Sequence, residues 1–136
     1  MSGLSPLYAT AHVALGGAIG ATMRYQLGRV MTHWMGVKAV TTFPWATLAA
    51  NVIGSLAMGL LAGWLARHGS AQGEQIRLLV GVGVLGGFTT FSSFSLEMML
   101  LVERGQPMLA VTYAGVSLLA GLTALYLGLI VMRLAA

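Results

Sequence analysis

Gly86-Gly87-Phe88-Thr89-Thr90-Phe91-Ser92-Ser93-Phe94-Ser95 lies at the centre of an uncharged run, Leu78 to Leu96. At about 1.5 Å rise per residue that run nearly crosses a hydrocarbon core of about 30 Å. Its middle nevertheless holds two adjacent glycines and five hydroxyl side chains. A glycine costs roughly 1 kcal/mol against alanine in a helix, and hydroxyls compete for backbone hydrogen bonds. The stretch therefore reads as a break in a membrane-spanning helix. Irregular backbone at membrane depth survives only inside protein or beside water, because each orphan N–H or C=O in lipid costs several kcal/mol. Broken helices of this kind build ion sites in transporters and channels.

The rest of the chain agrees with a membrane setting. Of 136 residues, 57% are hydrophobic and 7% charged, and the mean hydropathy is +0.85. A soluble domain carries about 25% charged residues. This composition cannot cover a globule with polar surface, so residues 1–136 read as a single all-α integral membrane domain. Cysteine is absent, which excludes disulfides and thiolate metal sites. The formal charge of +4 comes from seven scattered basic residues, with no basic run to suggest nucleic acid or anionic lipid as a partner. Met1 to Thr10 has no positive n-region, so no cleaved signal peptide is expected.

Uncharged stretches run Met1–Met23, Ala39–Ala66, Leu78–Leu96 and Gly105–Met132. They predict four transmembrane helices, over roughly 5–31, 42–66, 77–100 and 107–132, each near or above the ~20 residues that spanning requires. Four spans place both termini on one side. Positive-inside counting then gives a near tie. One side collects Arg67, Arg77 and Arg133; the other collects Arg29, Lys38 and Arg104, with Arg24 as a flank. Either short loops simply carry few charges, or the chain inserts both ways and pairs as an antiparallel dimer. Gly16/Gly20, Gly59/Gly63 and Gly83/Gly87 recur at helix-packing spacing.

Polar residues within the spans are candidates for chemistry. Thr47, Asn51 and Ser55 form a stripe at intervals of four on one helix face. Asn51 must satisfy two donors and an acceptor, as interhelical glue or as a pore-lining group. Tyr113 and Ser117 share a face of the last span, either bonded locally or lining a path. Arg24 is an interface anchor or an anion-attracting charge at a vestibule. Glu97 pairs with a base or caps a partner. Phe91 and Phe94, three apart, face roughly one way. They are core packing or, through their positive ring edges, contacts for a dehydrated anion. The carboxylates are too scattered, and the histidines too irregularly spaced, for an acid/base or metal site. No nucleophile has a base, so an enzyme is not expected. Gly81-Val82-Gly83-Val84-Leu85-Gly86 matches a dinucleotide-binding pattern but lacks its strand–turn–helix setting.

Three blocks carry a family resemblance. Gly16 to Tyr25, Thr47 to Ser55 and Gly86 to Phe94 resemble the first-, second- and broken third-helix signatures of the Fluc (CrcB) family of microbial fluoride channels. The resemblance implies passive export of fluoride across the inner (plasma) membrane by an antiparallel, dual-topology homodimer with two pathways. It implies a structural sodium at the dimer centre, held by the backbone carbonyls of Gly86 and Thr89, and no organic cofactor. By motif position the pathway phenylalanines are Phe91 and Phe94, the pore asparagine is Asn51 and the vestibule arginine is Arg24. Ser92 and Ser93 lie in the third-helix block, and Glu97 matches an acidic position after it. Tyr113 and Ser117 look like the start of a polar track on the fourth helix. Two departures stand out: Gly121 and Leu125 follow Ser117 where hydroxyls often continue, and Ser92-Ser93 replaces a common Ser-Thr. The alternative is a small multidrug exporter driven by protons, but Met1 to Met23 contains no carboxylate to carry the proton.

Overall fold

The computed structural model describes residues 3–69 and 71–135, and these are helical throughout apart from short joints. Helix α1 (Pro6–Met35) starts where the Ser5 hydroxyl accepts from the Tyr8 N–H at 3.3 Å and Pro6 fills the first turn. After Gly36 come a short α2 (Val37–Thr42) and the long α3 (Trp45–Leu65). The third apolar segment is built from α4 (Ala71–Ile76), a π-helical stretch (Arg77–Leu85), α5 (Gly86–Phe88) and α6 (Phe91–Glu103). Helix α7 (Pro107–Leu134) closes the bundle.

Among the described residues, three segments are long and apolar enough to cross a membrane: Trp45–Leu65, Ala71–Glu103 and Pro107–Leu134. Four spans were expected. Helix α1 has the length, at 30 residues, but Arg24, Arg29 and its histidines lower its hydropathy.

The break lies within the stretch read as irregular, just after its two glycines. Gly86 is helical, at φ −64° and ψ −37°. The chain turns extended at Thr89 (φ −83°, ψ 156°) and Thr90 (φ −152°, ψ 122°). The nearby glycines serve helix packing instead. A Cβ on Gly20 would overlap the Val84 carbonyl oxygen, and one on Gly87 would stand 2.6 Å from the Gly17 carbonyl oxygen. Small residues on both sides thus let α1 lie backbone to backbone along the third segment. Wider π turns start this contact. The sequence reading contained no π-helix.

Helix α6 is capped at both ends. The Thr90 hydroxyl accepts from the Ser93 N–H at 3.2 Å. At the other end Gly105 adopts φ +73°. Its N–H bonds the Val102 carbonyl, and the Gln106 N–H bonds the Leu101 carbonyl. This is a Schellman closure, which needs the left-handed conformation that glycine adopts freely. It returns the chain directly into α7. Helices α3 and α7 pack closely along their length. Beside them, Leu101, Ala110 and Tyr113 form a buried core with Phe43, Leu48 and Phe94 around it.

Candidate functional site

The break is held by one side chain from α3. Asn51 Oδ1 accepts from the Thr90 N–H at 2.8 Å, and Asn51 Nδ2 donates to the Thr90 carbonyl at 3.1 Å. One side-chain amide thereby satisfies both backbone polar groups of an extended residue, which lipid could not satisfy. In an unbroken α-helix the Thr90 N–H would bond the Gly86 carbonyl, four residues back. That donor is turned to Asn51. The Ser93 N–H would likewise bond the Thr89 carbonyl, but the Thr90 hydroxyl takes it. Gly86 and Thr89 are thus among the last four carbonyls before the break, all of which lose their helical donors. The Gly87 carbonyl between them accepts from Arg24 Nε at 3.2 Å. Arg24 is half-buried, and it ties α1 to the break.

Next to this clip lies a cavity of about 390 Å³ lined by Asn51, Ser55, Thr90, Phe94, Ser117 and other residues, including Phe91. The two phenyl rings are 5.8 Å apart and inclined at 35°. Phe91 is 79% exposed on the protomer, whereas Phe94 packs on Tyr113, with centroids 5.1 Å apart. The Ser117 hydroxyl is buried and has no hydrogen-bond partner among the described residues. One turn further along α7 is Gly121, where a Cβ would stand 3.5 Å from Ser55 Oγ. Ser55 of α3 thus lies directly against the α7 position held by Gly121. Sequence reading grouped Ser55 with Asn51 but had no means of placing it opposite Gly121.

Glu97 has two donors. Thr47 Oγ1 donates to one carboxylate oxygen at 2.6 Å and Tyr113 Oη to the other at 2.7 Å. Tyr113 is fully buried, with Phe43 meeting it edge to face at 5.4 Å and 78°. This carboxylate joins α3, α6 and α7 around a core aromatic, a pairing with neither a base nor a helix end. Tyr113 is committed to it, while Ser117 on the same face stays free. Ser93 shares the Thr90 cap. Ser92 is exposed, 3.3 Å from the Thr90 hydroxyl, and does not line the inner cavity.

A second, outer cavity of about 720 Å³ lies toward the end of the bundle where α1 finishes and α3 begins. Its lining includes Arg24, Tyr25, Arg29, His33 and Thr47. Thr47 on this wall and Asn51 on the inner wall are one turn apart on α3. The two cavities share no lining residue, and Thr47 and Asn51 on α3 stand between them.

Residues 11–129 match the family described as CrcB-like protein, Camphor Resistance (CrcB). Similar proteins include three named fluoride-specific ion channel FluC. The one from Erythrobacter litoralis is 58% identical over 134 residues, which is 98% of each chain. The one from Novosphingobium aromaticivorans is 61% identical over 125 residues, covering 92% of this chain and 96% of the relative. A third so named, from Hyphomonas neptunium, is 49% identical over 121 residues, 89% of this chain and 92% of the relative.

Proposed function

The chain belongs to the CrcB family, and from that premise we propose that it is a passive, fluoride-selective channel that exports fluoride across the cell inner membrane. The observation that carries the reading is the inner cavity, where an unpaired buried hydroxyl, a pinned asparagine and two phenyl rings converge beside a helix break. Family membership also sets aside the multidrug exporter.

An inside-negative potential drives an anion outward with about 2.3 kcal/mol per charge per 100 mV. The obstacle is desolvation, because a bare ion in a low-dielectric medium costs tens of kcal/mol. Ser117 can turn its free hydroxyl to the anion. Asn51 uses one amide hydrogen on Thr90 and keeps a second. Phe91 and Phe94 offer positive ring edges. Several weak partners in sequence suit conduction better than one deep site.

The functional unit in this proposal is an antiparallel homodimer in which α1 serves as the fourth span. Thirty helical residues reach about 45 Å, enough to cross. Carbonyls at the break that lose their helical donors, Gly86 and Thr89 among them, need a partner that lipid does not offer. A second copy, bringing its own break to the first, would gather such oxygens around a hard monovalent cation. Backbone oxygens fit a hard cation such as sodium. When bound, the ion would supply positive charge at the break and fix it.

Reconstitution of the purified protein in liposomes tests the reading. Electrogenic fluoride efflux is expected, and efflux no faster than from empty liposomes would overturn it. Added lysines in one loop should bias insertion and abolish self-sufficient flux, and an oppositely biased copy should restore it. Full flux from one fixed orientation would end the antiparallel proposal.

A further inference from the structure

Helices α3 and α7 run in the same direction and meet in rungs one turn apart. Thr47 and Tyr113 join at the Glu97 carboxylate. One turn on in each helix stand Asn51 and Ser117, both lining the inner cavity. One turn further, Ser55 lies against Gly121, where a Cβ would stand 3.5 Å from Ser55 Oγ. The next rung is closed. A Cβ on Gly59 would overlap the Leu125 carbonyl oxygen, so beyond Ser55 the two helices touch backbone to backbone. Hydroxyls elsewhere on the helices have a local partner. Thr10, Thr22, Ser95 and Thr112, all exposed, donate to the carbonyl one turn back. The two serines of the cavity do not. The Ser117 hydroxyl is buried without a partner, and the Ser55 hydroxyl makes no hydrogen bond among the described residues.

We propose that Ser55 is a ligand of the permeating anion, the last donor that α3 supplies before its seam with α7 closes at Gly59. Gly121 keeps the space in front of that hydroxyl open. A side chain there would stand at van der Waals distance from Ser55 Oγ and screen it from the cavity. The inference rests on the channel reading above and adds a residue to its path. Asn51 and Ser55 are about 6 Å apart along the helix axis, with Ser117 facing the same cavity. An anion passing between them stays within reach of a donor, which limits the cost of desolvation at each step.

Electrogenic fluoride efflux from liposomes tests this, expressed per dimer recovered on gel filtration. Ser55→Ala should slow efflux about tenfold, the effect of one lost hydrogen bond to an ion. The double variant Ser55→Ala/Gly121→Ser returns a hydroxyl to the vacated space from the opposite helix, and it should recover most of the rate. Ser55→Ala/Gly121→Ala returns the volume without the hydroxyl and should stay slow. A packing role for Ser55 does not distinguish these two double variants. They therefore decide the matter even if Ser55→Ala lowers the yield of dimer. Unchanged efflux in Ser55→Ala overturns the inference and leaves the channel reading standing. So does a failure of Gly121→Ser to restore the rate, or equal recovery with Gly121→Ala. No efflux from the unmodified protein removes both.

Discussion

Asn51 grips the Thr90 peptide at both ends, accepting from its N–H at 2.8 Å and donating to its carbonyl at 3.1 Å. The break in the third segment is thus defined from α3 as well as by its own sequence. Removing the side chain leaves both peptide groups without a partner. Asn51→Ala should destabilise the fold by about 1–3 kcal/mol for each unmet group and suppress fluoride flux. Asn51→Asp keeps an acceptor for the N–H but loses the donor and adds a carboxylate, so it should block flux with a smaller loss of folded protein. Flux from liposomes and dimer content by gel filtration, measured together, check this. Normal flux in Asn51→Asp would remove Asn51 from the path.

Phe91 and Phe94 should separate packing from conduction. Phe91 is mostly exposed on the protomer, while Phe94 touches Tyr113. Isoleucine keeps an apolar side chain but has no ring edge. Both isoleucine variants should lose most of their flux. Only Phe94→Ile should also lose stability, by about 1 kcal/mol, as for a volume change in a core. Loss of flux strictly in step with loss of dimer would make the rings packing residues.

The Thr47–Glu97–Tyr113 cluster should behave as a unit. Hydrogen bonds to a charged group contribute about 1.5–3 kcal/mol, and groups sharing a partner are not additive. Thr47→Val and Tyr113→Phe should each lower the thermal midpoint of the detergent-solubilised protein. The double variant should differ from the sum of the two by about 0.5 kcal/mol or more. Strict additivity would mean that Glu97 does not couple them.

Close helix contact makes a sharp contrast between glycines. Gly20→Ala places a methyl group against the Val84 carbonyl, whereas a Cβ at Gly115 meets nothing within 4 Å in the protomer. Gly20→Ala should abolish the folded protein and Gly115→Ala should leave its yield and flux near normal. Both are read by gel filtration after membrane extraction.

The site was unevenly legible. Thr47, Asn51 and Ser55 could be grouped because a helix repeats every 3.6 residues, and the hydroxyl-rich stretch after Gly87 announced irregular backbone. Neither pattern shows which donor goes to which acceptor. The break falls at Thr89 and Thr90, inside the stretch read as broken, while the glycines beside it admit a neighbouring helix; a glycine that loosens a helix and one that admits a neighbour look alike in sequence. The Glu97 partners come from residues 50 and 16 positions away, and no local signal links them.

The sequence by itself determined that the chain is helical and built for a bilayer, since so few charges cannot cover a soluble surface. It also determined where irregular backbone would fall to within a few residues, because propensity and span length are local properties. Tertiary structure alone decided that the helix opens at Thr89 and Thr90, that Asn51 and the Thr90 hydroxyl divert the donors of Gly86 and Thr89, and that Ser55 faces Gly121. Those outcomes depend on how α3 is set against the third segment and α7, and that setting is fixed by the contact of whole helix surfaces rather than by any one stretch of chain.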